Sequence, residues 1–368
     1  MKAGVITAPY TVEIRDIDQP SVGNPSEETT TGMIDDEGVR TESAEAENGY
    51  ALVAVKACGI CTWEQRVYRG VKATYPFHGG HEIVGVVERL TGNSSTGYRV
   101  GDMVAVARLP RCGRCDLCAR GLDNLCEAGK TPRRRELGMV MGPGGFAEYV
   151  SSPVRYLAKL SSSCSSLRDA VFTEPVSCVI HSMRKVKLRS GDCIGIFGAG
   201  TMGLLHVLVG KASGLQVIVA DFDSACRRQA ARLGADLVVD PNAANTVSQM
   251  LEFTENRGMD GVFITRGREN ELSIAAGCVR SGAAIVVFAS YIPSLSVLVD
   301  ISLIHTKEIA IVGTTGQTLT DFAEAANLIS RGITNLEELT TEEYSLDRIR
   351  DALDKSVRFH VNRVIVKP

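Results

Sequence analysis

The chain has 368 residues, 44% hydrophobic and 23% charged, enough for two domains that each bury their own core. Forty basic and forty-three acidic residues give a formal charge of -3, and no segment carries the basic stripe that a nucleic-acid backbone requires, so no nucleic-acid partner is expected. The most apolar stretch, Cys193 to Ala220, is broken by glycines and Lys211 into strand, turn, helix and strand, so no membrane span is expected.

The opening run MKAGVITAPYTVEIRD lacks the apolar core and cleavage site of a secretory signal, and a cytoplasmic protein is expected. Ser26 to Glu47 holds eight acids, one Arg and hardly any large apolar residue; it reads as a solvated surface insertion, with partner docking as the alternative. Up to about residue 160, short apolar runs are separated by Gly and Pro, most clearly ALVAVKACGIC, HEIVGVVERL and RVGDMVAVA, which predicts a mostly β domain. From Asp192 to about Thr314 the runs CIGIF, QVIVA, DLVV, GVFIT, AAIVVF and IAIVG alternate with helical patterns, the rhythm of βαβ units and a parallel sheet. The last fifty residues hold two helical patterns, FAEAANLISRG and SLDRIRDALDKS, and a closing strand, RVIVKP, with which the chain returns to complete the first domain. The expected architecture is α/β, with one domain over 1–175 and 315–368 and a second, nucleotide-binding domain over 176–314.

In CIGIFGAGTMG the run Gly198-Ala199-Gly200-Thr201-Met202-Gly203 follows an apolar strand and opens a helical pattern. Gly198 suits a tight turn, Gly200 lets backbone approach a pyrophosphate, Gly203 allows close helix packing, and the helix N-terminus favours negative charge. The next strand ends at Asp221, twenty-three residues after Gly198, where a carboxylate accepts hydrogen bonds from a ribose and repels a 2'-phosphate, so NAD is expected over NADP. Arg227 and Arg228, a turn further on, read as a solvated helix face.

Four of the eleven cysteines fall within fifteen positions: Cys112, Cys115, Cys118 and Cys126. Four thiolates fill a tetrahedral zinc shell and leave no position for substrate, so this loop is expected to be a closed, structural site. The neighbouring Arg133, Arg134 and Arg135 read as a solvated loop, and Cys58, Cys164, Cys178, Cys193, Cys226 and Cys278 as core thiols.

Three further segments hold metal-capable residues: ACGICTWE with Cys58, Cys61 and Glu64, GGHEIVG with His81 and Glu82, and TEPVSCVIH with Glu174, Cys178 and His181. In this order, with the four-cysteine loop, the glycine turn and the runs GGFAEY and HTKEIAIVGT, they resemble the zinc-dependent medium-chain dehydrogenase/reductase family. The resemblance covers nearly the whole chain apart from the acidic insertion. Glu174-Pro175 in the third metal segment makes it most similar to the sorbitol and threonine dehydrogenase-like branch.

The resemblance implies a GroES-like, mostly β catalytic domain and a Rossmann domain. It implies Cys61 as thiolate ligand, His81 as imidazole ligand, Glu82 as its acidic neighbour able to bind metal directly, and Glu174 as a ligand or a partner of the bound water. His181 reads as a helix residue and His78 as a turn residue. Three protein ligands leave one tetrahedral position open, at which an alcohol gives up its proton more readily and its carbinol hydride can pass to a nicotinamide.

The expected protein is therefore a homodimeric or homotetrameric enzyme with two zinc ions per chain. It exchanges hydride between NAD and a secondary alcohol, whether polyol, cyclitol, sugar or amino alcohol. A zinc-containing NAD(P)H-dependent reductase of ketones or activated double bonds is the alternative, and a nucleotide-binding protein without turnover a third reading. One departure bears on this choice: where many family members place Ser or Thr two residues after the ligand cysteine, this chain reads Thr62, Trp63, Glu64. An indole cannot accept a proton. Thr62 takes over the relay, or substrate hydroxyls and water carry the proton, or the reaction forms no alkoxide there; Trp63 can also wall a ring-shaped polyol.

Overall fold

The computed structural model describes residues 1–22, 49–72, 74–91, 97–108, 111–127, 142–161, 166–266, 270–292, 294–332 and 336–368. The acidic insertion at 26–47, Arg133 to Arg135 and Cys164 lie outside the described residues. The chain divides into two compact units, one of Met1–Glu174, Thr318–Gly332 and Thr340–Pro368, the other of Pro175–Gln317 and Ile333–Leu339.

The first unit is built on β-rich runs whose alternate residues turn inward. Tyr50–Gly59 is its central strand, pairing antiparallel with Glu82–Leu90, with Tyr149–Pro153 and with the C-terminal strand Arg363–Lys367. Met103–Val106 and Leu157–Lys159 extend the sheet on one side and Thr340–Ser345 on the other. Val53, Val55, Ile60, Phe77, Ile83, Phe146 and Val364 pack into one core. The helix Ile349–Ser356 turns Ile349, Ala352 and Leu353 into that core and leaves its charged residues outside. Each large aliphatic side chain buried this way contributes about 1.5–3 kcal/mol. Because Arg363–Lys367 pairs with the far end of Tyr50–Gly59, at Cys58 and Gly59, it carries Arg363 to the Ile60 carbonyl, next to Cys61, and to Glu82.

The second unit is a six-stranded, all-parallel sheet in the order Leu237–Val239, Gln216–Ala220, Cys193–Phe197, Met259–Ile264, Val279–Val287, Ala310–Gly313. The strand Cys193–Phe197 is buried throughout, as a parallel strand covered on both faces must be. The order reverses beside it, which places the following turn at the crevice where such sheets bind ligands. The helix Thr201–Ala212 then runs back against the sheet with Leu204 to Gly210 buried.

That helix also buries His206 completely, its Nδ1 2.7 Å from the Met202 carbonyl and its Nε2 2.8 Å from Ser182 Oγ, between the rings of Phe263 and Phe288. Burial pushes its pKa down to about 4, so the folded state refuses a proton that the unfolded state takes up near 6.5. Above pH 6.5 both states are neutral there; as pH falls from 6.5 to 4 the unfolded state gains about 3 kcal/mol from this residue alone. The melting temperature is expected to fall across that range, and less steeply in His206→Asn; parallel curves for the two proteins would contradict the assignment.

Candidate active site and metal centres

The glycine turn has the shape its sequence requires. Gly198 takes φ +101°, a conformation L side chains avoid, and a Cβ there would stand 2.6 Å from Cβ of Arg266. A Cβ on Gly203 would stand 1.8 Å from the Gly198 carbonyl oxygen, whereas one on Gly200 would meet no atom within 4 Å. Two glycines therefore serve packing, and the third leaves open space at the head of the helix Thr201–Ala212, the cradle a pyrophosphate needs. Asp221 is buried at the end of the next strand, its Oδ2 accepting from the Ala199 N–H at 2.7 Å and its Oδ1 from the Asp223 N–H at 2.8 Å. Arg227 corrects one expectation. It is not on a solvated face: its Nη1 donates to the Asp221 carbonyl at 2.6 Å and lies 3.2 Å from Asp240, because the helix after this strand starts only at Ser224 and turns it back on the strand end. Arg228 is exposed, as a solvated helix face requires, with Nη1 3.1 Å from Ser224 Oγ.

The sulfurs of Cys112, Cys115, Cys118 and Cys126 all lie within 4.8 Å of one another, with Cys112 Sγ 4.0 Å from Cys118 Sγ. Tetrahedral zinc–thiolate bonds of about 2.3 Å require sulfurs about 3.8 Å apart. Backbone N–H groups already point at the sulfurs, Cys112 N at Cys126 Sγ (3.1 Å) and Cys115 N at Cys112 Sγ (3.3 Å). Burial pushes Cys118 up to about 12, a cost that a dication among the four removes. The loop is anchored at its start by Arg111, whose carbonyl accepts from Tyr156 Oη at 2.5 Å and from Arg155 Nη2 at 2.9 Å.

In the first unit, Cys61 sits at the corner where Tyr50–Gly59 ends and the helix Thr62–Tyr68 begins. Glu64, fully buried in that helix, accepts from the Cys61 N–H through Oε2 (3.2 Å) and from the Gly80 N–H through Oε1 (3.0 Å), and the same Oε1 lies 2.8 Å from His81 Nδ1. One carboxylate thus ties the cysteine corner to the segment that carries His81 and fixes the ring by Nδ1, leaving Nε2 to face Glu174, whose Oε2 is 4.0 Å away. Burial works against charge on both partners, but they outweigh it, holding the Glu64 carboxyl below its usual range and the His81 imidazole above its own.

Glu82, the first residue of its strand, is fully buried with Oε1 3.1 Å from Arg363 Nη2, while Arg363 Nη1 donates to the Ile60 carbonyl at 2.8 Å. The Glu82–Arg363 contact is close enough for an ion pair but not aligned as a hydrogen bond, so both Glu82 oxygens are buried without a donor. Burial pushes Glu82 up to about 7 even with Arg363 beside it. A Cβ on Gly59 would stand 2.0 Å from Glu82 Oε2, which is why a glycine ends the neighbouring strand. The donor atoms of Cys61, Glu64 and His81 form one group within 4.8 Å and those of His81, Glu82 and Glu174 another, both through His81. A thiol, an imidazole and buried carboxylates, that of Glu82 with both oxygens lacking a donor, fit a zinc ion.

Residues 47–162 match the model of the alcohol dehydrogenase GroES-like domain, and residues 201–331 that of the zinc-binding dehydrogenases. The chain is 30% identical over 315 residues to the sorbitol dehydrogenase of Bacillus subtilis (strain 168), covering 84% of this chain and 86% of the relative. The chain belongs to the zinc-dependent medium-chain dehydrogenase/reductase family. Within it the dehydrogenase falls with the sorbitol dehydrogenase-like branch. It is also 28% identical over 324 residues to D-arabinitol dehydrogenase 1 of Uromyces fabae, covering 86% and 89% of the two chains. A protein of Sinorhizobium meliloti 1021 described as a zinc-binding dehydrogenase, bound to NADP, shares the fold with a TM-score of 0.81 at 24% identity, covering 100% of this chain and 99% of the other. The dehydrogenase is thus an oxidoreductase of the zinc-binding dehydrogenases.

The structure brings Cys61, His81, Glu82 and Glu174 of this dehydrogenase together and sets Thr62 apart. Thr62 opens its helix with an exposed side chain, whereas Trp63 turns inward, its ring 5.5 Å from His81 and 5.4 Å from Phe77, with Lys72 Nζ 5.2 Å from the ring centroid and its Nε1 buried without a partner. Of the expected core thiols, Cys58, Cys193 and Cys278 are buried, but Cys178, in an otherwise buried helix, is half-buried with its thiol 3.4 Å from Gln317 Oε1, and Cys226 is half-buried on the helix Ser224–Arg232, of which only Ala230 is buried. His181 lies buried in the helix Thr173–Met183, and His78 lies not in a turn but in the irregular stretch before His81, with Nε2 3.2 Å from the Phe146 carbonyl. Two residues of the site escape a reading by motif. Glu64 was visible only as a metal-capable acid three residues after Cys61, and Arg363 carries no local signal, lying in a strand whose partner is some three hundred residues earlier.

Proposed function

We propose that the dehydrogenase oxidises a secondary alcohol, a polyol, cyclitol, sugar or amino alcohol, to its ketone, with hydride passing to NAD. The observation that carries this reading is the imidazole of His81, fixed by Glu64 at Nδ1 and facing Glu174 with Nε2, beside Cys61. Cys61, His81 and Glu174 would hold a catalytic zinc, with Glu82 as an alternative donor balanced by Arg363, and the four clustered cysteines a second, structural one. When bound, the catalytic zinc supplies Lewis acidity to the substrate oxygen. Trp63 walls the site and keeps His81 in place by ring contact; the exposed Thr62 hydroxyl favours proton release through water or the substrate's own hydroxyls. The names of the sorbitol and D-arabinitol dehydrogenase relatives support a polyol.

The first unit acts as catalytic domain and the second binds the dinucleotide through Gly198, Gly200, Thr201, Met202, Gly203 and Asp221. Self-association is supported by the outer strand Ala310–Gly313, where Ile311 is exposed, and by Leu298 and Ile301, 93% and 78% exposed. Clustered cysteines that serve a metal suit a reducing, cytoplasmic setting.

Asp221 is the testable determinant of the cofactor. Its anchored carboxylate repels a 2'-phosphate, so kcat/KM is expected to be higher with NAD, and Asp221→Asn to raise the NADP/NAD ratio on the order of 10- to 100-fold. A parent enzyme that prefers NADP would contradict this part of the reading.

A further inference from the structure

The parallel sheet of the second unit has two ends. The glycine turn and Asp221 occupy the carboxyl ends of its strands; at the amino ends, about 15 Å away by the length of a strand, lies a cavity of about 480 Å³. Lys185, Lys187 and Arg189, from the run KVKLR, line the cavity, and none of these three side chains has an acidic partner among the described residues. Two acids also line it, and both are engaged. Asp192 accepts from the Arg189 N–H at 2.8 Å. Asp260, 3% exposed, accepts from the Cys193 N–H (2.8 Å), Arg257 (2.7 Å) and Arg280 (2.6 Å).

The Asp260 contact fixes the Arg280 guanidinium in the cavity wall through Nε, and Nη1 donates to the Ser281 carbonyl at 2.7 Å, so that Nη2 is left without a partner. A held guanidinium edge facing three unpaired cations across a concave space is an arrangement for a compact, multiply charged anion. We propose that this cleft binds the dianionic phosphoryl group of a small phosphorylated ligand, at a site separate from the dinucleotide cradle. The cleft is a single concavity and the chain carries a net charge of -3, so a stripe that tracks a nucleic acid is not what it offers.

The test uses the full-length, zinc-loaded enzyme saturated with NAD, so that the glycine turn is closed to phosphate. Melting curves are recorded against inorganic phosphate and glycerol 3-phosphate, with sodium chloride holding ionic strength constant. A saturable rise of roughly 2–4 °C is expected, and is expected to vanish in the triple variant Lys185→Ala/Lys187→Ala/Arg189→Ala, whose melting point in chloride alone and whose turnover match the parent. A response to glycerol 3-phosphate at tenfold lower concentration would identify an organic phosphate, and equal responses free phosphate; either supports the site. No rise, a rise that the triple variant keeps, a rise that chloride alone reproduces, or binding of a single-stranded oligonucleotide without a phosphate response would overturn it.

Discussion

The parent is expected to hold two zinc ions per chain and Cys61→Ala one, with kcat/KM lowered about a thousandfold or more, because several kcal/mol of charge stabilisation at the substrate oxygen is lost with the metal. Cys61 sits at a strand-to-helix corner, half-buried, and its backbone rather than its thiol carries the hydrogen bond to Glu64, so the fold is expected to survive. Cys115→Ala should do the reverse. Its sulfur belongs to a closed set of four, and thiolate-rich zinc sites store roughly 10–16 kcal/mol in isolated peptides, so the loop from Cys112 to Cys126 is expected to unfold and the melting temperature to drop while the other zinc remains. Elemental analysis and melting curves of the two variants check this. A chain that keeps the same single zinc after Cys61→Ala and loses it after Cys115→Ala would mean that the pocket around His81 holds no metal.

Glu64→Gln is expected to cost 10- to 100-fold in activity and in zinc affinity at the catalytic site, with a smaller loss of melting temperature than Glu64→Ala. The single amide oxygen can take the place of Oε1 and still accept from the Gly80 N–H, while the amide NH2 then faces the Cys61 N–H and leaves that one donor unpaired. What the amide lacks is the negative charge 2.8 Å from His81 Nδ1, which orients the ring and makes Nε2 a stronger donor to a metal. Glu64→Ala should add a stability loss, since two backbone donors and the imidazole are then left unpaired in a buried place. Full activity in the purified Gln variant at limiting zinc would reduce Glu64 to a packing role.

The legible parts of this protein are those where one local pattern serves one purpose. CIGIF followed by Gly198, Gly200 and Gly203 announces strand, turn and helix, because a tight turn, a backbone approach and a close packing each require a glycine at a fixed place. The four cysteines are equally plain, since tetrahedral geometry needs four donors and the loop supplies four. Arg363 could not be read in this way. Its role depends on Arg363–Lys367 pairing with Tyr50–Gly59, a register set by the fold of the whole unit rather than by neighbours in sequence. Glu64 was read as a metal-capable acid, and only the fold shows that its two oxygens are spent on Cys61, Gly80 and His81. Arg227 fails for a similar reason: its position on a short helix suggests solvent, and the strand end it folds back on is invisible in a helical pattern.

The central claim is that this dehydrogenase oxidises a secondary alcohol at a zinc held by Cys61, His81 and Glu174. The most direct measurement is NADH formation by the zinc-replete enzyme across a panel of polyols, cyclitols and amino alcohols, with the ketone product identified and Glu174→Ala run beside the parent. Zinc-dependent NADH formation with at least one of these alcohols, strongly reduced in a Glu174→Ala variant that melts like the parent, is the predicted result. An enzyme that oxidises no alcohol but reduces an enal or enone, or one in which Glu174→Ala is as active as the parent, would contradict the account.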